Sequence, residues 1–512
     1  MNAEVILIMI TIFVYLAGML WIGFYCAKRN DNTSEFFLGG RKMGPLVTAM
    51  SAEASDMSSY LLMGLPGLAY LSGFAHVGWT VIGLVLGTYF NWLFTAKRLR
   101  RYTYLTDSFT FPQFLSNRFH DHRNILGFIA AIIIIIFFVP YTASGFAACG
   151  KLFVTLFGAN YTATMLIFAV VLIAYTASGG FLAASLTDFV QSIIMSIAIL
   201  FVVVFAIMSA GGWGAVMDHV GQLPGYLSMV QSYVPDSHSS TPFGVLAIIT
   251  TLSWGLGYFG MPHILLRFMA IEDENKLALS RRVASIWVII AMAFAVLIGV
   301  AGLALSDQGI IPDLVGAGTE TVIIQIGNYL SGFGPLATIM TGIIISGILA
   351  STMSTTCSQL LAASSSVCQD ILQDKFGVQL RERQRMVLAR LTVIVISLIG
   401  IYIARNPDSS IFGIVSFAWA GFGASFGPLV ICALYWKRTT FQGAVAGTVV
   451  GGVAVFVWKY LIAPMGGVFE VYELLPAFLL GLATIIIVSL LTPAPSVAIT
   501  DEFDKAASNE PL

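Results

Sequence analysis

Charge is scarce in this 512-residue chain: Asp, Glu, Lys and Arg make up 10% of it, where soluble domains average roughly 25%. So little charge excludes an ordinary water-facing globule. The net charge of −1 leaves no basic footprint for nucleic acid. Five cysteines (Cys26, Cys149, Cys357, Cys368 and Cys432) form an odd set without CxxC spacing. They read as small apolar residues, not as a disulfide framework. The six histidines are dispersed; His120 and His122 share a loop but lack the Cys or carboxylate spacing of a metal site. Phosphate-binding loops of the GxxxxGKS/T type and HExxH are both missing. Nucleotide hydrolysis and the common hydrolytic chemistries therefore have no signal, and no enzyme is indicated. Gly421-Phe-Gly423-Ala-Ser-Phe-Gly427 misses the dinucleotide spacing and lies in an apolar run, where it reads as helix packing.

What the chain has instead is apolar length: 58% of it is hydrophobic. Runs long enough to cross about 30 Å of hydrocarbon fall near 5–27, 45–70, 74–96, 124–150, 161–178, 183–209, 243–265, 283–305, 333–366, 387–404, 409–435, 442–462 and 470–491. They predict an all-α polytopic membrane protein with about thirteen spans. The first run has no basic stretch before it and exceeds a signal-peptide core, so it is expected to stay as a span. An odd number of spans puts the termini on opposite sides. With the N-terminus outside, only Lys151, Arg405 and Lys459 of the 25 basic residues stay outside. That satisfies the positive-inside rule at nearly every loop, so the C-terminus is expected in the cytoplasm. Residues 1–491 form the membrane domain, and the polar tail at 492–512 is expected to be disordered.

Against this apolar background, Ser51 to Ser59 read Ser-Ala-Glu-Ala-Ser-Asp-Met-Ser-Ser inside the second segment. A carboxylate at a span's centre costs about 2.5–3.5 kcal/mol on insertion scales, so this stretch is expected to face a cavity, an ion or a partner. Gly64, Pro66 and Gly67 interrupt the same segment further on. A second dense interruption, Trp254-Gly-Leu-Gly-Tyr258-Phe-Gly260-Met-Pro262, lies in the seventh segment. The two are five segments apart, an odd step, so units beginning at them enter the membrane from opposite sides. That is the arithmetic of an inverted repeat, at about 45–209 and 243–435, and paired interruptions point to a transporter's binding site. Close helix packing is the plainer use of such Gly and Ser.

Segment nine carries Ser351, Ser354, Thr355 and Ser358 at i, i+3, i+4 and i+7, on one helix face. Such hydroxyls either coordinate a small hard cation together with free carbonyls or bond back to the carbonyl one turn earlier. Trp254, Tyr258 and Pro262 follow at i, i+4 and i+8, apolar surface with polar handles suited to a small amphipathic ligand. Tyr141, after Pro140, is of the same kind. Asp188 and Glu53 remain as isolated carboxylates in apolar segments.

Ser55-Asp-Met-Ser58, Leu62-Met-Gly-Leu-Pro-Gly67, Trp254-Gly-Leu-Gly-Tyr-Phe-Gly260 with Pro262-His263, Met353-Ser-Thr355 and Phe417-Ala-Trp-Ala-Gly-Phe-Gly423 together resemble the sodium/solute symporter family, in order and over nearly the full chain. They look most like its proline-carrying branch. The resemblance implies a leucine-transporter-type fold of 5+5 inverted repeats, over segments two to eleven, with one extra N-terminal and two extra C-terminal helices. It also implies sodium-coupled uptake of L-proline across the bacterial cytoplasmic membrane by alternating access, with no protein partner called for. Carried over residue by residue, the sodium ion would meet the carbonyls of Ala54, Met57 and Ser351 and the hydroxyls of Ser354 and Thr355. Asp56 would tune that site. Trp254, Tyr258 and Pro262, with Ser58 and Tyr141, would hold proline. Arg41 and Asp188 match inner-side positions concerned with coupling or ion release. The chain departs from the family pattern at Glu53 (a small residue), Ser59 (Gly), Tyr60 (Trp), Met261 (Gln) and Ser358 (Cys). Another small solute (a different amino acid, pantothenate or a sugar) is the alternative cargo. A solute-sensing module is the alternative class; it needs a large output domain, and only about twenty residues follow the last span.

Overall fold

Inside hydrocarbon every backbone donor and acceptor must be met by the chain itself, so the apolar runs fold as helices. The computed structural model of the protein describes residues 3–27 and 33–508. Lys28 and Arg29, two charges assigned above to the inner side, lie outside them. The helices that position the site are α1 (Ala3–Ala27), α2 (Pro45–Ser59), α3 (Leu65–Ser72), α4 (Phe74–Phe90), α5 (Ile125–Phe157), α6 (Tyr161–Ser209), α7 (Val245–Leu252), α8 (Pro262–Ala270), α9 (Leu277–Asp307), α10 (Pro335–Ser365), α11 (Glu382–Ile403), α12 (Ile411–Tyr435), α13 (Phe441–Val457), α14 (Leu474–Leu491) and α15 (Val497–Ala507).

By length and composition, ten helices among the described residues can cross a membrane. The count is eleven if the stretch Val245–Gly260 and α8, bent by 47° at their junction, form one span. Two of the thirteen expected segments fall short of that test. Segment 45–70 is divided between α2 and α3. Segment 161–178 is a shorter apolar helix, Tyr161–Ala177, which continues through a kink at Gly180 (φ 64°, ψ −169°) into the rest of α6.

Helix α10 lies at the centre, packed against α6, α1, α2 and α5, and α12 packs against the Ser253–Gly260 stretch, α5, α13 and α14. The outer flank of α1 shows Phe13, Val14 and Trp21 more than half exposed, the apolar face that a lipid neighbour requires. A small antiparallel hairpin, Gln231–Val234 with Ser239–Pro242, sits in the connection between α6 and α7. Its strands are four residues each, too short to stand out as an alternating pattern.

Two expectations need correcting. The tail is folded over Val497–Ala507, because one face of α15 carries Phe503 and Ala506 into the protein. Arg118 lies over the Phe503 ring at 5.2 Å, Lys437 pairs with Asp504, and His120 meets Glu502 at 3.0 Å. A single buried stripe among acidic residues gives too little average hydrophobicity to read as order. Second, Arg267, counted above as an inner-loop charge, lies inside the protein at 1% exposure.

Candidate functional site

The interruption in segment two is narrower than Ser51–Ser59. Pro45 to Met57 run as regular helix, and the backbone breaks at Ser58 alone (φ 49°, ψ −168°). A wide turn of π-helix, Tyr60–Gly64, follows and runs without a break into α3, which carries Pro66 near its start. A non-glycine residue in that left-handed region is strained by about 1–3 kcal/mol, so its neighbours must hold it there. The Ser58 N–H, whose partner in a regular helix is the Ala54 carbonyl, donates to Thr355 Oγ1 at 3.0 Å. The Tyr60 N–H donates to Ser58 Oγ at 3.1 Å and also to the Met57 carbonyl.

The α10 stripe divides between its two possible uses. Ser354 Oγ donates to the Ala54 carbonyl at 2.6 Å and to the Ser351 carbonyl at 3.1 Å. Thr355 Oγ1 reaches the same Ala54 carbonyl at 3.4 Å. Ser351 Oγ bonds back to Ile348 at 2.9 Å, leaving its own carbonyl toward Ser354. Ser358 Oγ accepts from Arg267 instead. Four oxygens from two helices thus converge beside the Ser58 break: the Ala54 and Ser351 carbonyls and the Ser354 and Thr355 hydroxyls. Rotating the two O–H bonds outward would turn this set into ligands for one small hard cation, since oxygen donors suit such ions.

Beside this cluster lies a cavity of about 10 Å³, room for about one water. Of the residues singled out from sequence, Asp56, Met57, Tyr141, Trp254 and Tyr258 line it; Ser58 and Pro262 are buried but do not. The phenol of Tyr258 donates to Asp56 Oδ2 at 2.7 Å, and that of Tyr141 to the Asp56 carbonyl at 3.3 Å. Asp56 Oδ1 has no partner among the described residues. Segment seven is 3-10 helix over Ser253–Gly260, so its aromatic residues follow a tighter winding than the α-helical spacing assumed above. Its glycines serve close packing as well: a Cβ on Gly255 would lie 2.2 Å from the Gly83 carbonyl, and one on Gly257 would strike Trp419 Nε1.

An aromatic group closes one side of the cavity. Trp254 stacks on Tyr60 (5.7 Å between ring centroids) and on Tyr472 (5.1 Å), and Phe412 touches both Trp254 (5.4 Å) and Tyr60 (5.9 Å). The indole of Trp419 donates to the Trp254 carbonyl at 2.8 Å, and its ring meets Tyr258 edge-on. Each such pair contributes about 0.5–1.5 kcal/mol beyond its buried area. A solute larger than water enters only when these rings part.

Asp188 and Arg41 belong to neither cluster. Asp188, fully buried on α6, accepts from Ser51 Oγ at 2.7 Å and from Arg267 at 3.1 Å. Arg267 also holds Ser51 Oγ and the His263 carbonyl. The pair therefore ties α2, α6, α8 and α10 together under the oxygen cluster. Arg41 clasps the carbonyls of Met269, Thr103 and Ser108 at 2.6–2.9 Å, joining three loop and helix ends. Burial and the neighbouring Arg100 pull its guanidinium down to about 10, which leaves it charged at neutral pH.

A solved Na+-coupled sialic acid symporter, in its substrate-bound outward-open state, shares this fold with a TM-score of 0.77 at 20% identity, over 96% of this chain and 99% of the other. Mhp1, a nucleobase-cation-symport-1 family transporter in a closed conformation, aligns with a TM-score of 0.58 at 16% identity, over 93% and 99%. The architecture is the leucine-transporter type. In sequence, the model of the sodium:solute symporter family matches residues 36–451. The chain belongs to that family. Among its relatives, the high-affinity proline transporter PutP of Bacillus subtilis is 43% identical over 95% of this chain and 98% of its own length. The sodium/proline symporter of Escherichia coli is 39% identical over 97% and 96%. The protein is accordingly a multi-pass membrane transporter and not an enzyme.

Several residues that line the cavity were not singled out from the sequence. Tyr60, Leu84, Met292, Val415 and Trp419 also line the cavity. Trp419 stands in the Phe417–Gly423 string that carries the family resemblance, but nothing in that string alone assigns its indole a role. Leu84, Met292 and Val415 are apolar residues in apolar helices and carry no signal of their own.

Proposed function

We propose that this symporter carries L-proline into the bacterial cell across the cytoplasmic membrane, driven by sodium. The observation that carries this reading is similarity of about 40% identity over almost the whole chain to proteins named for proline and sodium. The sodium ion binds the carbonyls of Ala54, Met57 and Ser351 and the hydroxyls of Ser354 and Thr355. Asp56, one helical step from that set, offsets its charge. Proline occupies the enlarged cavity between Trp254, Tyr258 and Tyr141, with Ser58 and Pro262 shaping its rim. Its ring lies against the aromatic faces, and its carboxylate is met by half-helix N-termini, whose dipoles favour an anion.

The ion bridges α2 and α10 and so favours the arrangement in which the substrate cavity is complete. By linkage, proline then raises sodium affinity by the same factor. Proline is a zwitterion, so only the ion moves net charge. At about 2.3 kcal/mol per charge per 100 mV, one ion supports roughly 50-fold accumulation. Residues 1–491 form the transport domain, with repeats at about 45–209 and 243–435. The N-terminus lies outside, and α15 lies in the cytoplasm. Arg41 and the Asp188–Arg267 pair sit on the inner side and control ion release. Competition tests the cargo: excess unlabelled proline abolishes uptake of labelled proline, whereas pantothenate, sugars and other amino acids leave it intact. Equal competition by one of those solutes overturns the assignment.

A further inference from the structure

Helix α13 packs mainly on α14 and α12 and only lightly on α5. Two glycines draw it onto α12. A Cβ on Gly451 would lie 2.2 Å from the Ala424 carbonyl oxygen, and one on Gly452 would lie 2.9 Å from Ser425 Oγ. Between α13 and α5 there remains a groove of about 240 Å³. Its rim is Ile132 and Ile136 on one side and Val449 and Val453 on the other, each more than a third exposed on the flank that faces lipid.

The two ends of the groove differ. At one, Phe137 and Phe456 meet with ring centroids 5.6 Å apart, and Phe417 of α12 packs edge-on against both, at 5.7 and 5.2 Å. That end is closed and apolar. At the other, Lys375 Nζ lies 5.8 Å from the centre of the Phe128 ring and donates to the Arg123 carbonyl at 2.9 Å. Arg123 is exposed and Lys375 half-buried. Nearby carboxylates are engaged by other groups: Asp121 accepts from the Leu126 N–H, and Asp374 from Gln113 and Gln369. Among the described residues neither cation is paired with a carboxylate.

From Phe128 to Phe137 the groove runs about 13 Å along α5, at about 1.5 Å per residue. One leaflet's share of the hydrocarbon core is about 15 Å. The groove thus has the depth of a single leaflet, an apolar bed, and positive charge at its headgroup end. A zwitterionic lipid gains from the bed alone. An anionic one also gains about fivefold in affinity from each basic residue near the surface.

We propose that this groove binds one anionic phospholipid of the inner leaflet, with an acyl chain between α5 and α13 and the phosphate on Arg123 and Lys375. The far end of the chain lies against Phe137. That ring presses on α12 at Gly421, where a Cβ would lie 2.1 Å from Phe137 Cε1, close in sequence to Trp419 in the wall of the substrate cavity. The bound lipid therefore supports that wall. Naming the inner leaflet rests on the orientation proposed above; the binding itself depends on neither orientation nor cargo.

Native mass spectrometry of the delipidated full-length protein in detergent tests this, with phosphatidylglycerol or phosphatidylcholine of the same chains as the probe. In the wild type the tightest site should prefer phosphatidylglycerol about 25-fold. A ratio near one overturns the proposal without any variant. Ile132→Trp fills the groove from its rim, leaves both charges, and should lose the tight site. Arg123→Gln/Lys375→Gln leaves the groove open and should bring the two lipids to within about twofold of each other. An unchanged preference in either variant places the lipid elsewhere and overturns the assignment. Phosphatidylglycerol should also raise the melting temperature of the wild type, since a ligand bound to the folded state stabilises it, and of neither variant; an equal rise in all three contradicts the site. If one variant fails to fold, the wild-type ratio and the other variant decide.

Discussion

Removing the Ser354 and Thr355 hydroxyls tests the sodium site at its two side-chain oxygens. Both reach the Ala54 carbonyl, at 2.6 and 3.4 Å, and both are fully enclosed, so water cannot replace them without a rearrangement. A polar contact to a charged partner contributes about 1.5–3 kcal/mol, or roughly 10- to 150-fold in a binding constant. Ser354→Ala should therefore raise the sodium concentration for half-maximal proline uptake at least about tenfold. Thr355→Ala should do the same and also lower stability, because it strands the buried Ser58 N–H that Thr355 Oγ1 accepts at 3.0 Å; an orphaned buried donor costs about 1–3 kcal/mol. Thr355→Ser should restore both. The assay is a sodium titration of labelled proline uptake in vesicles, with thermal unfolding in detergent as the control. A Ser354→Ala/Thr355→Ala double variant with wild-type sodium dependence would falsify the cation site and return the stripe to helix packing.

Asp56→Asn removes the charge beside that site while keeping an acceptor for Tyr258, so apparent sodium affinity should fall far more than the number of proline sites; unchanged sodium titrations contradict its role. Trp254→Ala removes the aromatic face proposed to hold the proline ring, a contact of about 0.5–1.5 kcal/mol, so half-saturation for proline should rise about 2- to 13-fold with sodium dependence nearly intact; an unchanged proline titration removes Trp254 from the site. Asp188→Asn breaks a buried pair and strands Arg267, a class of change that costs about 3–5 kcal/mol; the melting temperature in detergent should drop, and an unaltered one shows that the pair adds nothing to the fold.

The polytopic architecture was legible because hydrocarbon imposes a length and a composition on every span. The Ser58 break and the facing stripe were legible because polar groups in a span are costly enough to stand out. Other parts were hidden for physical reasons. The break is one residue wide, and nothing local separates Ser58 from its helical neighbours Ser51 and Ser55, since Thr355 across the interface fixes it. Of the four stripe hydroxyls, only Ser354 and Thr355 face Ala54, a matter of rotation set by the packing of α10 on α2. Arg267 looked like a loop charge because its partner Asp188 lies 79 residues earlier. The order in α15 depends on one phenylalanine meeting Arg118, which no local window contains.

The central claim is that this chain alone converts a sodium gradient into a proline gradient. The direct measurement is labelled proline accumulation in proteoliposomes containing only this protein, with a potassium-diffusion potential of about 100 mV, negative inside. With sodium outside, accumulation should approach roughly 50-fold for one ion per proline, and it should collapse when choline replaces sodium or the potential is removed. Equal accumulation without sodium, or mere equilibration with it, contradicts the account.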